Sequence, residues 1–373
     1  MLYREFGKTG IQLSRLGFGA MRLPITKDGQ GRLAGIDESA ELIRYAVSKG
    51  VNYIDSAFHY CFSESETAVG RAIKGLPRQS VFISTKNPLE NACGSCWRLR
   101  LEVALRRLDC GYIDFYHFHG LSWQDFQTRC QGDDGPLAQA RKAKEQGLIR
   151  HVSFSCHDSP ENGIKLIDTG QFESMLVQYN LLDRHQAPAL AHAHAKGLGT
   201  VVMGPVGGGR LGFPSEVVAQ ATGVASTAEV ALRFVWANPN IDVAISGMEN
   251  RRMVDENAAT AARGEPLSEA EIARIDQLYE ENKRLLDLPC TGCDYCQPCQ
   301  QGVAIPRIFL YLQWHTAFGL REAARQRYSW LGKGWEEKNK PATACTECGE
   351  CEAKCPQKIS IREKLKAAHK VLG

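Results

Sequence analysis

From residue 16 to residue 262 the chain repeats one pattern eight times: a short β-branched or aromatic run, then an amphipathic stretch of helical period. The runs are Leu16–Gly19, Tyr53–Asp55, Val81–Lys86, Ile113–His119, His151–Ser155, Met175–Gln178, Thr200–Met203 and Val243–Ile245. Helices are expected at Asp37–Lys49, with Asp37 as N-cap and Gly50 as stop, and at Ser63–Lys74, Ser95–Leu108 and Pro136–Glu145. Further helices are expected from Pro160 and over Ala187–Lys196, Thr227–Ala237, Arg251–Ala262 and Ser268–Arg284. Eight such units in about 250 residues predict a closed (β/α)8 barrel. An open doubly wound sheet would want Gly-x-Gly-x-x-Gly after the first strand, and Gly17-Phe18-Gly19-Ala20-Met21-Arg22 lacks the third glycine. Ahead of it, Tyr3–Phe6 and Gln12–Ser14 flank Gly7-Lys8-Thr9-Gly10, a β-hairpin expected to cap the barrel floor.

The pattern then stops, and the composition changes. Eight of the 14 cysteines lie from Cys290 onward, in a stretch with 13 Lys and Arg against 8 Asp and Glu, a net of +5. The first 289 residues carry 32 against 34, a net of −2. We therefore expect two domains, residues 1–284 and 285–373, with Leu285–Pro289 between them. The tail reads as helical over Ile308–Trp330, with a basic amphipathic helix over Ser360–Val371. Apolar residues at 43% and charged residues at 23% suit a soluble globular enzyme. No apolar run approaches the roughly 20 residues of a membrane span. The first residues, MLYREFGKTG, contain no apolar stretch, so a cytoplasmic protein is expected. A net charge of +3 gives no reason to expect a nucleic-acid partner.

Active sites of such barrels sit at the C-terminal strand ends. Those ends offer Asp55, with Tyr60 five residues on, then Lys86 and His119. Taken singly, an Asp or Lys there is more often a surface ion pair, and His117 reads as structural; the set of four carries the chemistry. A phenol with a pKa near 10 is a poor donor at neutral pH, and a neighbouring ammonium is expected to lower it. Asp55 would hold Lys86 charged, and His119 would orient a carbonyl.

Tyr53-Ile54-Asp55-Ser56-Ala57-Phe58-His59-Tyr60, Ile83-Ser84-Thr85-Lys86 and Ile113-Asp114-Phe115-Tyr116-His117-Phe118-His119 resemble the three motifs of the aldo-keto reductase family over residues 1 to about 284. The resemblance implies a barrel binding NADP(H) or NAD(H) and a small carbonyl substrate, with Tyr60 as general acid, Asp55 and Lys86 tuning it, and His119 lining the substrate site. It implies cofactor contacts from Ser155, Gln178, the loop Gly204, Gly207, Gly208, Gly209 and Arg210, and from Ser246, Gly247, Glu256 and Asn257. The chain departs from that pattern at four places. Cys156 follows Ser155 where Asn is usual, and Leu176 stands three residues before Tyr179 where Gln is usual. Met203 replaces a stacking aromatic, and Met253 replaces an arginine for which Arg251 and Arg252 are the nearest substitutes.

The tail carries Cys290-x2-Cys293-x2-Cys296-x2-Cys299 and Cys345-x2-Cys348-x2-Cys351-x3-Cys355-Pro356. The second run has the bacterial ferredoxin spacing, in which the fourth cysteine ligates the other cluster. Two 4Fe–4S clusters are expected: Cys290, Cys293, Cys296 and Cys355 on one, and Cys345, Cys348, Cys351 and Cys299 on the other. Zinc also suits paired Cys-x-x-Cys but gives no reason for the Cys-Pro ending. Disulfides between these cysteines would need an oxidising compartment. With helices between the runs, the tail resembles α-helical ferredoxin modules, and the whole chain resembles the aldo-keto reductases with such an appendage. That implies a carbonyl oxidoreductase coupled to iron–sulfur electron transfer, with a redox partner such as a ferredoxin or flavoprotein. Two alternatives stay open: an electron-transfer protein whose barrel mainly binds a nicotinamide or partner, and clusters that are purely structural. Cys93-Gly94-Ser95-Cys96-Trp97 is similar to the sequence around a papain-type nucleophile, but no histidine lies between His194 and His315 to serve it. As a redox pair, Cys93 and Cys96 stay open.

Overall fold

The computed structural model describes residues 1–90, 93–290 and 292–373. Eight strands close a parallel barrel in sequence order: Leu16–Gly19, Tyr53–Asp55, Phe82–Pro88, Ile113–His119, Ile149–Cys156, Ser174–Gln178, Gly199–Met203 and Val243–Ser246. The eighth pairs in parallel with the first, Ser246 opposite Phe18, which closes the ring and leaves no edge. The third strand runs past the expected end at Lys86, with Lys86 opposite His117 and Pro88 opposite His119. Pro88 has no amide to extend the ladder, so the strand stops there.

The antiparallel hairpin Tyr3–Glu5 with Gln12–Ser14 leads into the barrel floor. Its Phe6 and Leu13 are buried with Tyr53, Phe115, Leu176 and Val201, and the Phe6 ring meets Phe115 edge-on at 4.9 Å. Gly199 makes room for this plug, since a Cβ there would lie 2.3 Å from the Phe6 ring. Apolar packing fills the bottom of the barrel.

Contacts divide the chain into two compact units, Met1–Gly207 with Ala231–Pro266, and Gly208–Val230 with Leu267–Gly373. In the second unit, a helix not anticipated from the sequence, Glu216–Thr222, packs against Glu269–Leu286. Ser215 caps the first of these, and a capping box of Ser268 and Glu271 starts the other. The expected boundary at 284/285 falls inside the last turn of Glu269–Leu286. Helices Ile305–Thr316, Arg321–Ser329 and Ile361–Leu372 bury Ile308, Phe309, Leu312, Ala324, Leu365 and Ala368 against one another. Glu336 is buried there in an ion pair with Arg307 at 2.6 Å. Among the described residues, no helix is long and apolar enough to cross a membrane.

Candidate functional site

Asp55 and Lys86 lie on adjacent strands, the second and third, and both are almost fully buried. The Lys86 Nζ donates to Asp55 Oδ2 at 2.5 Å and to the Ser56 carbonyl at 2.6 Å. The Ser84 hydroxyl donates to the other Asp55 oxygen at 2.7 Å. Tyr60 begins a helical turn just beyond the second strand, its ring centroid 4.9 Å from Lys86 Nζ. The His119 ring stands edge-on to Tyr60, centroids 5.9 Å apart. The structure thus brings together the acid, phenol, ammonium and imidazole singled out in the sequence.

Burial decides the protonation of this group. It pushes Asp55 up against the pull of Lys86 and Ser84. Burial also opposes the Lys86 charge, but Asp55 and Tyr60 beside it win, so Lys86 stays an ammonium, above its ordinary value. For Tyr60 the expected direction is reversed. Burial raises its pKa above 10 and outweighs the lowering by Lys86, because the phenolate loses more hydration than one shared ammonium returns. At rest Tyr60 is a phenol. His119 is lowered to about 4 by burial and by Lys86, and is therefore neutral.

A second buried network braces this one. Glu66, with no exposed surface, accepts from Thr85 Oγ1 at 2.7 Å and pairs with Arg107 at 3.1 Å. Arg107 also donates to the Phe58 carbonyl, two residues before Tyr60. After Tyr60 the backbone is left-handed at three successive non-glycine residues, Cys61, Phe62 and Ser63, with φ of 52°, 57° and 68°. Nothing in the sequence alone pointed to roles for Ser56, Glu66, Thr85 or Arg107. Ser84 carried one signal, its place two residues before Lys86, which puts both side chains on the same strand face.

The cofactor residues read from the resemblance are more dispersed. Ser155 is buried at the end of the fifth strand, its Oγ accepting from Gly120 N at 2.8 Å. Gln178 ends the sixth strand and donates its amide to Asp183 at 2.7 Å. Leu176 lies in the buried floor cluster. Gly204 and Gly207 belong to the first unit, and Gly208, Gly209 and Arg210 to the second. All four glycines have positive φ, between 58° and 88°, a conformation that suits a backbone-amide cradle for phosphate. Arg210 stacks over Trp314. Ser246 and Asn257 meet at 3.2 Å, beside Gly247. Arg251 lies over the Tyr45 ring, and Arg252 is exposed beside Glu256 at 3.8 Å. Leu176 supplies no amide for a nicotinamide.

In the second unit the cysteines gather around two cavities. One is lined by Cys290, Cys293, Cys296 and Cys355, with Pro306, Phe309 and Ile359 as apolar walls. The other is lined by Cys299, Cys345, Cys348 and Cys351, and Cys296 also reaches it. Among the described residues, no three thiol, imidazole or carboxylate groups converge tightly enough to hold a single metal ion. Tetrahedral zinc needs sulfurs ~3.8 Å apart, from Zn–S bonds of ~2.3 Å. A cube of iron and sulfide is larger, and four thiols spaced around a cavity fit it better. Lys354 and Arg362 border the second cavity, where a cluster's negative charge would gather.

Comparison with known proteins agrees with both halves. The aldo/keto reductase family model matches residues 15–212, and the 4Fe–4S dicluster domain matches residues 289–360. A probable aldo-keto reductase of Glycine max is 29% identical over 56% of this chain and 60% of its own length. The L-galactose dehydrogenase of Arabidopsis thaliana is 24% identical over 76% of this chain and 95% of its own. The holo form of an aldo-keto reductase from Bacillus halodurans superposes with a TM-score of 0.62 over 74% of this chain and 96% of that one, at 24% identity. A parallel barrel oxidoreductase with a 4Fe–4S dicluster tail is the class these features define. The chain belongs to the aldo/keto reductase family.

Proposed function

We propose that the protein reduces a small carbonyl compound with NADPH or NADH, residues 1–284 carrying that chemistry and residues 285–373 holding two 4Fe–4S clusters. The observation that carries this reading is the buried Asp55–Lys86 pair beneath Tyr60, flanked by His119. A bound reduced nicotinamide supplies a hydride to the carbonyl carbon. Tyr60 gives its proton to the carbonyl oxygen as charge develops there. Burial keeps that proton in place until substrate arrives, and Lys86 stabilises the phenolate left behind. Asp55 and the Ser56 carbonyl fix Lys86 beneath the ring. Neutral His119 directs the substrate oxygen toward Tyr60 without competing for its proton. Gly204 and Gly207, with Ser246 and Asn257, hold the dinucleotide phosphates.

We assign Cys290, Cys293, Cys296 and Cys355 to one cluster and Cys299, Cys345, Cys348 and Cys351 to the other, as their two cavities support. The clusters supply single-electron steps, exchanged with a partner such as a ferredoxin or flavoprotein. Eight reduced thiolates need a reducing compartment, which supports a cytoplasmic site of action.

Tyr60→Phe should lower NADPH- or NADH-linked reduction of an aldehyde panel by about 10²–10⁴-fold, with cluster absorbance unchanged. A second reading is favoured by Leu176 in the core and by Gln178 bound to Asp183: the barrel mainly binds a partner, and the clusters do the work. Near-normal turnover in Tyr60→Phe would remove Tyr60 as the proton donor, whereas no NADPH- or NADH-linked turnover in the unaltered protein would sink the first reading and leave the second.

A further inference from the structure

Six cysteines belong neither to the tetrad nor to the cluster runs, and two of them, Cys93 and Cys96, are bonded to each other. Cys93 is the N-cap of the 15-residue helix Gly94–Leu108, and its sulfur accepts from the Cys96 N–H at 3.0 Å. The two are joined as a disulfide, with Cα atoms 5.3 Å apart. Cys93 is exposed and Cys96 half-buried, so a second sulfur can reach the pair from solvent. The contrast is with Cys110, Cys130 and Cys156, which are buried, their thiols pushed up to about 11, 12 and 11. Gly94 is the hinge of the motif: a Cβ there would lie 1.8 Å from the Asp134 carbonyl, so only glycine lets the helix start against that backbone.

The helix is tied to the strand that carries Lys86. The Asn87 amide donates to the Trp97 carbonyl at 2.9 Å, and Arg100 donates to the carbonyls of Pro88 and Glu90. The pair therefore sits on the face of the barrel where the tetrad opens.

We propose that Cys93 and Cys96 form a thiol–disulfide exchange site on this face, reacting with a thiol or dithiol and its disulfide. In the oxidising direction the Cys93 thiolate, held by the Cys96 N–H and the positive end of the helix, attacks one sulfur of the partner disulfide. A Cys93–partner bond forms, the partner's S–S bond breaks, and its first thiolate leaves. Cys96 loses its proton and attacks Cys93 Sγ, forming the Cys93–Cys96 bond and expelling the second partner thiolate. Two electrons pass to the partner, and the two protons given up by the pair end on the partner's thiols. Reduction runs the same steps backward.

Trypsin should release both cysteines, and no others, in the peptide 87–98, between Lys86 and Arg98. Anaerobic holoprotein equilibrated in glutathione or dithiothreitol buffers, then trapped with an alkylating agent, reads the pair by mass. The ratio of disulfide to dithiol should rise tenfold for each tenfold rise in [GSSG]/[GSH]², as a two-electron exchange requires. Equilibration with dithiothreitol alone would point to a dithiol partner; equilibration with both would show that a single thiol suffices. Cys96→Ser should accumulate a glutathione adduct on Cys93, at least tenfold more than Cys93→Ser does on Cys96. The proposal is overturned if the native pair is unchanged in both buffers and opens only after denaturation. Full alkylation at the oxidised end, or equal adducts in the two variants, would overturn it as well.

Discussion

The tetrad and the cysteine cavities solve opposite problems. Around Tyr60 the chain supplies every partner itself: Lys86 is held by Asp55 and the Ser56 carbonyl, Asp55 by Ser84, and Glu66 by Thr85 and Arg107. Around the cavities the thiols face a space rather than one another, and Cys293 and Cys348 are exposed. The loops that carry them bend through left-handed non-glycine residues, Asp294 and Glu347, each a cost of about 1–2 kcal/mol. One site is complete on folding; we propose that the other is completed by the clusters it holds.

Stripping iron should break the comparison most visibly. We expect about eight iron atoms per chain after anaerobic reconstitution, and their removal should open residues 285–373 to protease while the barrel resists. Unchanged protection of the tail in iron-free protein would mean that its helices alone set its order. Stoichiometric zinc without iron would reject the clusters.

Cys355→Ala divides the tail further. Cys355 is the buried member of its set and comes from the run opposite its three partners. Its loss should remove about half the iron and loosen the contact between the two runs, leaving barrel turnover chemistry intact. Loss of the other cluster instead, or full iron retention, would refute the crossed assignment.

Much of the barrel was legible because its signals are local. Short strand runs alternating with amphipathic helical stretches marked the eight units, although Asp37, read as a cap, lies inside the helix Ile36–Ser48, and the strand ends pointed to Asp55, Lys86 and His119. The bracing of the tetrad was not legible, since Ser84, Glu66 and Arg107 meet their partners only across strands and helices. The direction of the Tyr60 shift was missed for a related reason. A sequence shows that an ammonium is near but not how much water both groups lose. The helix Glu216–Thr222 was missed because its partner, Glu269–Leu286, lies some 50 residues further along the chain. In the tail, cysteine spacing alone suggested the crossed grouping.

Acid should weaken the barrel. His117 is fully buried, and burial, with Lys86 nearby, lowers it from 6.5 to about 3. Below pH 6.5 the unfolded chain takes a proton there that the folded chain refuses, so stability falls as pH drops. By pH 5 the loss from this group is about 2 kcal/mol, and His119 adds to it. Glu173 is held down to about 2, despite partial burial, by His151 and Lys144, and contributes only below about 4.5. Hydrogen exchange of the strand Ile113–His119 against urea should show a lower midpoint at pH 5 than at pH 7.5. An equal midpoint would mean that water or a partner stabilises charged His117.

The smallest effect tests whether the barrel, too, stores backbone cost beside its site. Cys61 is left-handed at φ 52°, where a side chain costs about 1–2 kcal/mol and glycine very little. Its sulfur returns little of that, lying 3.6 Å and 3.4 Å from the carbonyls of Ala20 and Met21, and a thiol is a weak donor. Glycine's greater freedom in the unfolded chain takes back about 0.5–1 kcal/mol. Cys61→Gly should therefore stabilise by under about 1 kcal/mol, raising the barrel's melting temperature by about 1–3 °C. Tyr60 precedes it directly, so the informative pairing is with turnover. If the barrel melts higher while aldehyde reduction slows, the left-handed run holds the phenol in place, and the cost is kept for positioning. If melting falls, the sulfur contacts outweigh the backbone, and the barrel site is free of stored strain in a way the cysteine loops are not.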